Sequence, residues 1–393
     1  MIGFIILGVV ALIIAFGVYS FSPKSTLSGF RLPTYQSPNT GKPNPKSTRL
    51  QSKEEPLPDP TPLWDFDLET AKVRDYIYVN KTLRHPYFQT MAHQPMDINN
   101  WIEIDRDYKR DMASKKHCVQ TMGTKVINSL PENHLACHEL LNTLIDYLPK
   151  KYPTCFERIE GGIWNKILDE RHENVAHLEG IPALEIIASL VQDDFLMGHE
   201  RPDGHIYFTG GVVAHPGFYN FSEKINNSLS VVHEPVPHFN EKILKSVERT
   251  LSRFQPNEPF ERTSWEMVDD YNLNLHEIAT LPEGAVLRDS LEPKDYLFRM
   301  DHQTFRKMPL SNGIIFGVHP ILVKLEEFAD KPMVPALLAT IHEKSGDELM
   351  KYKLAQCYQD KMLPYLKELT KSQIERGLIT GDEAVAGFRE LIK

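Results

Sequence analysis

One histidine and a set of arginines and polar side chains carry the chemical interest of this chain. His233 lies in Val231-Val232-His233-Glu234-Pro235-Val236-Pro237. Each proline locks its own φ and restrains the residue before it, so the imidazole sits beside stiffened backbone. A metal ligand needs that, because displacement by about an ångström loosens a site. The same local sequence also suits a surface loop, and His238 offers a second imidazole nearby. Farther along, Arg299 and Arg306 bracket Asp301, His302 and Gln303, and Arg262 opens the segment Arg262-Thr263-Ser264-Trp265. Guanidinium forks suit carboxylates. A strand edge with solvated charges is the plainer reading of these residues, and Trp265 reads as packing.

The elements that would position these groups follow from hydrophobic periodicity. Leu135, Leu140, Leu141, Leu144, Ile145 and Leu148 recur at helical spacing, and Pro149 is expected to stop that helix. Pro182 fits the first turn of a second helix carrying Leu184, Ile187, Ala188 and Val191 on one face, and Gln192-Asp193-Asp194 reads as its solvated end. A third helix is expected over 241–254, with Asn240 as its N-cap. Strand-like runs cover 205–209, 296–300 and 314–318, the last after the turn signal Ser311-Asn312-Gly313. Helices again fill the tail. The order implies an α+β fold with a mainly antiparallel sheet.

Bulk properties remove several function classes. The 393 residues carry a net charge of −9, which leaves no basic footprint for nucleic acid. Cys118, Cys137, Cys155 and Cys357 form no C-x-x-C pair and suggest free thiols. The chain has no G-x-G-x-x-G turn, no phosphate loop, no H-E-x-x-H and no G-x-S-x-G elbow, so nothing points to nicotinamide binding, NTP hydrolysis or an acyl-serine.

Four spaced segments tie the chain to a known family. They are Trp101-Ile102-Glu103-Ile104-Asp105, Val191-Gln192-Asp193-Asp194, the His233 segment, and Arg299 through Pro309. In this order and spacing, over roughly 95–325, they resemble the haem-dependent oxidative N-demethylase family, whose fungal members include HRQ proteins. The resemblance implies a PAS-like, haem-binding antiparallel sheet flanked by helices. It implies haem b as cofactor, with His233 as iron ligand and Arg262, Arg299 and Arg306 around the haem. It implies catalytic roles for Asp301, His302 and Gln303, with a small amine and O₂ as substrates. The chain departs from the family pattern where His302 replaces Arg, Asp301 replaces Glu, Ser264 replaces Asn, and His215 stands before Pro216 in place of Phe. With no flavin, nicotinamide or cluster signature of its own, the chain would take electrons from a separate reductase. A haem sensor or carrier without turnover, a membrane-anchored glycosyltransferase and a tethered interaction protein are the competing classes.

The N-terminal region has a character of its own. Residues 2–18 are almost continuously apolar and, extended to Phe21, approach the roughly 20 residues of a membrane span. Lys24, Arg31, Lys42, Lys46 and Arg49 follow the run, which by the positive-inside rule leaves the body cytosolic, on the endoplasmic reticulum. The expected organisation is a transmembrane helix at 1–21, a proline-rich linker at 22–62, the haem domain at 63–330 and a helical segment at 331–393.

Overall fold

A strand with side chains buried on both of its faces lies at the centre of the fold, and the sequence explains why. In Leu297–Lys307 the alternation of the pleat sends Phe298, Met300, His302, Thr304 and Arg306 to one side and Leu297, Arg299, Asp301, Gln303 and Phe305 to the other. Both sets contain large apolar residues, so both sides must be covered. The computed structural model describes residues 56–74, 83, 91–217, 219–274 and 291–382. Residues 57–393 form one compact unit. The anchor expected at 1–21 and most of the expected linker lie outside the described residues, among which no helix is long and apolar enough to cross a membrane.

Ten strands are described: β1 (Gln94–Pro95), β2 (Ile127–Ser129), β3 (Phe156–Ile159), β4 (Gly162–Asn165), β5 (Glu170–His172), β6 (Asp194–Glu200), β7 (Ile206–Val212), β8 (Phe260–Val268), β9 (Leu297–Lys307) and β10 (Ile314–Lys324). Seven form an antiparallel sheet in the order β1-β8-β9-β10-β6-β7-β2, and β3-β4-β5 make a small second sheet. The long β9–β10 hairpin turns through Ser311-Asn312-Gly313, with Asn312 at φ 57° and the Glu139 carboxylate accepting from the Leu310 and Ser311 N–H groups at 2.8 Å. The mixed α+β class and the antiparallel sheet agree with the sequence reading.

The helices are α1 (Tyr108–Met122), α2 (His134–Lys151), α3 (Gly180–Ala188), α4 (Leu229–Val232), α5 (Leu244–Arg253), α6 (Val334–Lys344), α7 (Asp347–Tyr352) and α8 (Gln359–Glu375). Helix α2 runs through Pro149 to Lys151 rather than stopping there, because a proline removes one N–H bond and the last turn can close past it: the Tyr152 N–H reaches Leu148 O at 2.8 Å. Ahead of α5 the chain makes a π-helical turn over Phe239–Ile243, entered from His238 at φ 59°. The side chain of Asn240 does not cap it but donates to Ser230 O.

One side of the large sheet packs against α2 and α3 through Leu141, Leu144, Ile187, Phe195 and Ile315. Farther along the same side it packs against α6 and α8 through Trp265, Phe298, Met300, Leu337 and Leu366. Leu337, Leu338, Met362 and Leu366 are fully buried there, each worth about 2 kcal/mol of transfer free energy. The C-terminal helices are thus a layer of the same body. Among the described residues the other side of the sheet is covered mainly by α4, the π turn and α5, through Leu229, Phe239, Val247 and Leu251 against Phe260, Phe305 and Val318. That thinner cover leaves room for a cavity.

Candidate functional site

The cavity measures about 320 Å³, within the size range of small-molecule and cofactor sites. Its floor is the open side of β6, β8, β9 and β10, and its roof is α4 through α5. Leu196, Phe208, Leu229, Phe239, Phe305 and Phe316 give it an apolar lining.

His233 enters from the C-cap of α4. Its Nδ1 lies 2.9 Å from the Leu229 carbonyl oxygen. A carbonyl can only accept, so Nδ1 carries the proton and Nε2 keeps the lone pair. The ring stacks on Phe239 with centroids 4.1 Å apart and planes 11° from parallel. Burial pushes the imidazole down to about 4, so it is neutral at physiological pH. Among the described residues Nε2 makes no hydrogen bond. A neutral imidazole fixed through one nitrogen and open at the other is how proteins present an axial metal ligand. No group of three His, Cys, Asp or Glu among the described residues could hold a bare metal ion. A metal that brings its own in-plane ligands, as haem iron does, needs only one such imidazole, and the residues present fit it.

At the other end, β8 and β9 supply the polar groups. Cross-strand pairing puts Arg262 opposite Gln303, Ser264 opposite Asp301 and Glu266 opposite Arg299, all on the cavity side. The Arg299 guanidinium donates through Nε to Asp301 Oδ1 at 3.0 Å, through one terminal nitrogen to Leu273 O at 2.9 Å and Pro216 O at 3.3 Å, and through the other to His215 O at 2.8 Å. Burial opposes its charge, but Asp301 and Glu266 outweigh that and hold its pKa above the ordinary arginine value. Its fork is therefore committed to the loop at 215–216 and to Leu273. Arg262 and Lys224 border the cavity and are the charges felt by His233.

Two neighbouring groups keep polar atoms without partners. Burial raises the Glu266 pKa against the pull of Lys353 and Arg299, and Oε2 is buried without a hydrogen bond. His215 donates its backbone N–H to Asp194 Oδ2 at 2.6 Å and meets Ser114 Oγ through Nε2 at 3.2 Å. Its Nδ1 has no partner, and burial drives the ring down to about 3.

His302 and Arg306 face the opposite side of the sheet. Residues 301 and 303 border the cavity, so the pleat must turn 302 away. His302 Nε2 is 2.9 Å from Glu261 Oε2, and its Nδ1 is 3.6 Å from Glu103 Oε2. The Arg306 guanidinium lies 4.0 Å above the Trp101 ring, and burial pulls its pKa down to about 10. Neither touches the cavity, so neither can contact a ligand bound in it. His238 sits on the surface, 3.0 Å from the exposed Glu348.

Behind the floor lies a buried ionic network. His319 stands between Asp105 and Asp193, 3.4 Å from each. Lys115 Nζ donates to the carbonyls of Val191, Gln192 and Asp193 and lies 3.1 Å from Asp194 Oδ1. Gln192-Asp193-Asp194 is thus not a solvated helix end: α3 stops at Ala188, and the three residues are at most 2 % exposed. Their partners Lys115 and His319 lie some 76 to 126 residues away in sequence, which is why local pattern misread them. Asp194 itself opens β6 and borders the cavity.

The four spaced segments of the sequence therefore meet at one sheet, with 101–105, 191–193 and His302 behind the floor and His233, Arg299, Asp301 and Gln303 in front. The family model described as haem-dependent oxidative N-demethylase, alpha subunit-like, matches residues 92–363, more than half of the chain. The chain belongs to this family. The matched range runs from β1 into α8 and takes in the whole large sheet and the cavity. Asp194, His215, Glu266 and His319 were not assigned to the site from sequence. His215 stood out only as an unusual residue before Pro216, and Glu266 gave no signal at all.

Proposed function

We propose that the cavity binds haem b with His233 as the proximal ligand, and that the chain removes an N-methyl group oxidatively from a small amine. The fixed, neutral His233 imidazole carries this reading. Haem, when bound, supplies the iron at which O₂ is reduced. The methyl carbon is oxidised and leaves as formaldehyde, one oxygen atom of O₂ goes to it and the other to water, and two electrons and two protons enter from outside. Arg262 and Lys224 are placed to hold the haem carboxylates. Gln303, held to Ser264 Oγ at 2.9 Å, and Asp301, neutralised by Arg299, orient the substrate side of the cavity. The apolar wall formed by Phe208, Phe305 and Phe316 keeps water away from it.

The electrons come from a separate reductase. The absence of flavin and nicotinamide motifs supports this, as does a family description that names an alpha subunit. The apolar run at 2–18 would tether the body to the cytosolic side of the endoplasmic reticulum, where reductases are met. The PAS-like character of the sheet belongs to the same reading.

The test is turnover of the hemin-loaded protein with methylated amines, O₂ and NADPH, with and without a microsomal reductase. Formaldehyde formed only when the reductase is present supports the proposal. Haem binding with no product from any amine would make the chain a haem sensor or carrier instead.

A further inference from the structure

Three carboxyl side chains border the cavity, and two of them are already engaged. Asp194 accepts from the His215 N–H at 2.6 Å and faces Lys115, and Asp301 is held by Arg299 at 3.0 Å. Glu266 is the exception. Its Oε2 is buried without a hydrogen bond, and among the described residues neither oxygen finds a donor. Lys353 is engaged elsewhere: its Nζ donates to the Trp265 carbonyl and hangs 4.7 Å over the Trp265 ring.

The carboxyl lies close against the loop at 215–217: a Cβ on Gly217 would stand 3.6 Å from both of its oxygens. Two residues before Gly217, His215 borders the same cavity with a second unpartnered atom, Nδ1. Arg299 links the two walls: it stands opposite Glu266 in the strand register, and its guanidinium holds the His215 and Pro216 carbonyls. A buried polar atom without a partner costs about 1–3 kcal/mol. Two of them at one end of a cavity mark a place where a ligand supplies hydrogen-bond donors.

We infer that this end of the cavity is a subsite for the nitrogen of a small ammonium ion, with the Glu266 carboxylate as its counter-ion and His215 Nδ1 as a second contact. The inference rests on the amine-oxidising reading of the cavity and names the group that selects the substrate. An ammonium N–H offers these atoms the donor they lack, and its charge pairs with the buried Glu266 carboxylate. Uncharged molecules of the same size gain nothing from that pairing.

Calorimetric titration of the full chain, with and without hemin, tests the subsite with two probes: dimethylammonium, and propan-2-ol as an uncharged control of similar size. Glu266→Gln keeps the side-chain volume and removes the charge. It is expected to weaken dimethylammonium binding at least tenfold and to leave propan-2-ol binding unchanged. Equal weakening of both probes, or of neither, overturns the inference. Difference infrared spectroscopy of the unmodified protein gives an answer that does not depend on the variant folding. Dimethylammonium is expected to shift a carboxyl stretching band, and an unaltered carboxyl spectrum overturns the inference. Glu266-dependent amine binding in a chain that takes up no hemin upholds the subsite while removing the haem assignment. A hemin-loaded chain whose amine binding ignores Glu266 does the reverse.

Discussion

The two sides of the central sheet are made by the same strands and carry comparable numbers of charged and polar side chains, yet they solve opposite problems. Behind the floor, His319 lies between Asp105 and Asp193, His302 between Glu261 and Glu103, and Lys115 among three carbonyls. Nearly every charge there is matched by a protein partner. In front, His233 Nε2, His215 Nδ1 and Glu266 Oε2 have no such partner among the described residues. Satisfied charges fix a structure, and unsatisfied atoms wait for a ligand. Arg306 partly breaks the pattern: its Nε lacks a hydrogen bond on the rear side, and the Trp101 ring is what it leans on.

The rear network should give the largest effect on stability. His319→Ala leaves Asp105 and Asp193 buried side by side without their cation, and the expected cost is about 3–5 kcal/mol by urea denaturation. The two carboxylates hold the His319 pKa well above 6.5 despite burial, so its contribution is complete below pH 6.5 and is lost as the pH rises through the folded value. Burial works to raise the Asp105 pKa, but His319 wins and lowers it from 3.8 to about 2, so that contribution is complete above pH 3.8 and fades as the pH falls toward 2. The variant should flatten both limbs. A loss under 1 kcal/mol would mean that the network is not the rigid backing inferred here.

Arg299→Lys comes next, at about 2–3 kcal/mol by the same measurement, because an ammonium cannot span Asp301 and the carbonyls of His215, Pro216 and Leu273 together. It should also weaken hemin affinity, since the loop that closes the cavity loses its clamp.

The two sides should also part in acid. Between pH 6.5 and 4 His319 and Asp105 keep their charges, while in front the unfolded chain takes up a proton that folded His215, driven down to about 3, refuses. That group costs about 1.4 kcal/mol per pH unit below 6.5. His215→Phe is expected to remove that much of the slope, read as thermal stability against pH, and His319→Ala to leave it in place. The smallest effect belongs to His238→Ala. Its pair with Glu348 is exposed on both sides, so stability should change by less than about 1 kcal/mol and hemin binding not at all.

What could be read from the sequence follows the same division. The hairpin turn at 311–313, the strands after 205, 296 and 314, and the helix stripe at 140–148 rest on local pattern and are present in the fold. His233, Arg262, Arg299, Asp301 and Gln303 gather in one cavity, and the spacing of the family segments pointed to them. Strand β8 went unread, because in Phe260–Val268 the cavity side carries Arg262, Ser264 and Glu266 and so lacks an apolar alternation. The network was hidden for a different reason. Lys115, Asp193 and His319 lie far apart in sequence, and only the sheet makes them neighbours. The family resemblance grouped His302 with Asp301 and Gln303, but neighbours along a strand face opposite sides of the sheet.

The absorption spectrum of the purified 57–393 unit with added hemin tests the central claim most directly. A Soret band characteristic of histidine ligation is expected, abolished by His233→Ala and retained by His238→Ala and His302→Ala. A band that survives His233→Ala unaltered, or a protein that takes up no hemin at all, would contradict it.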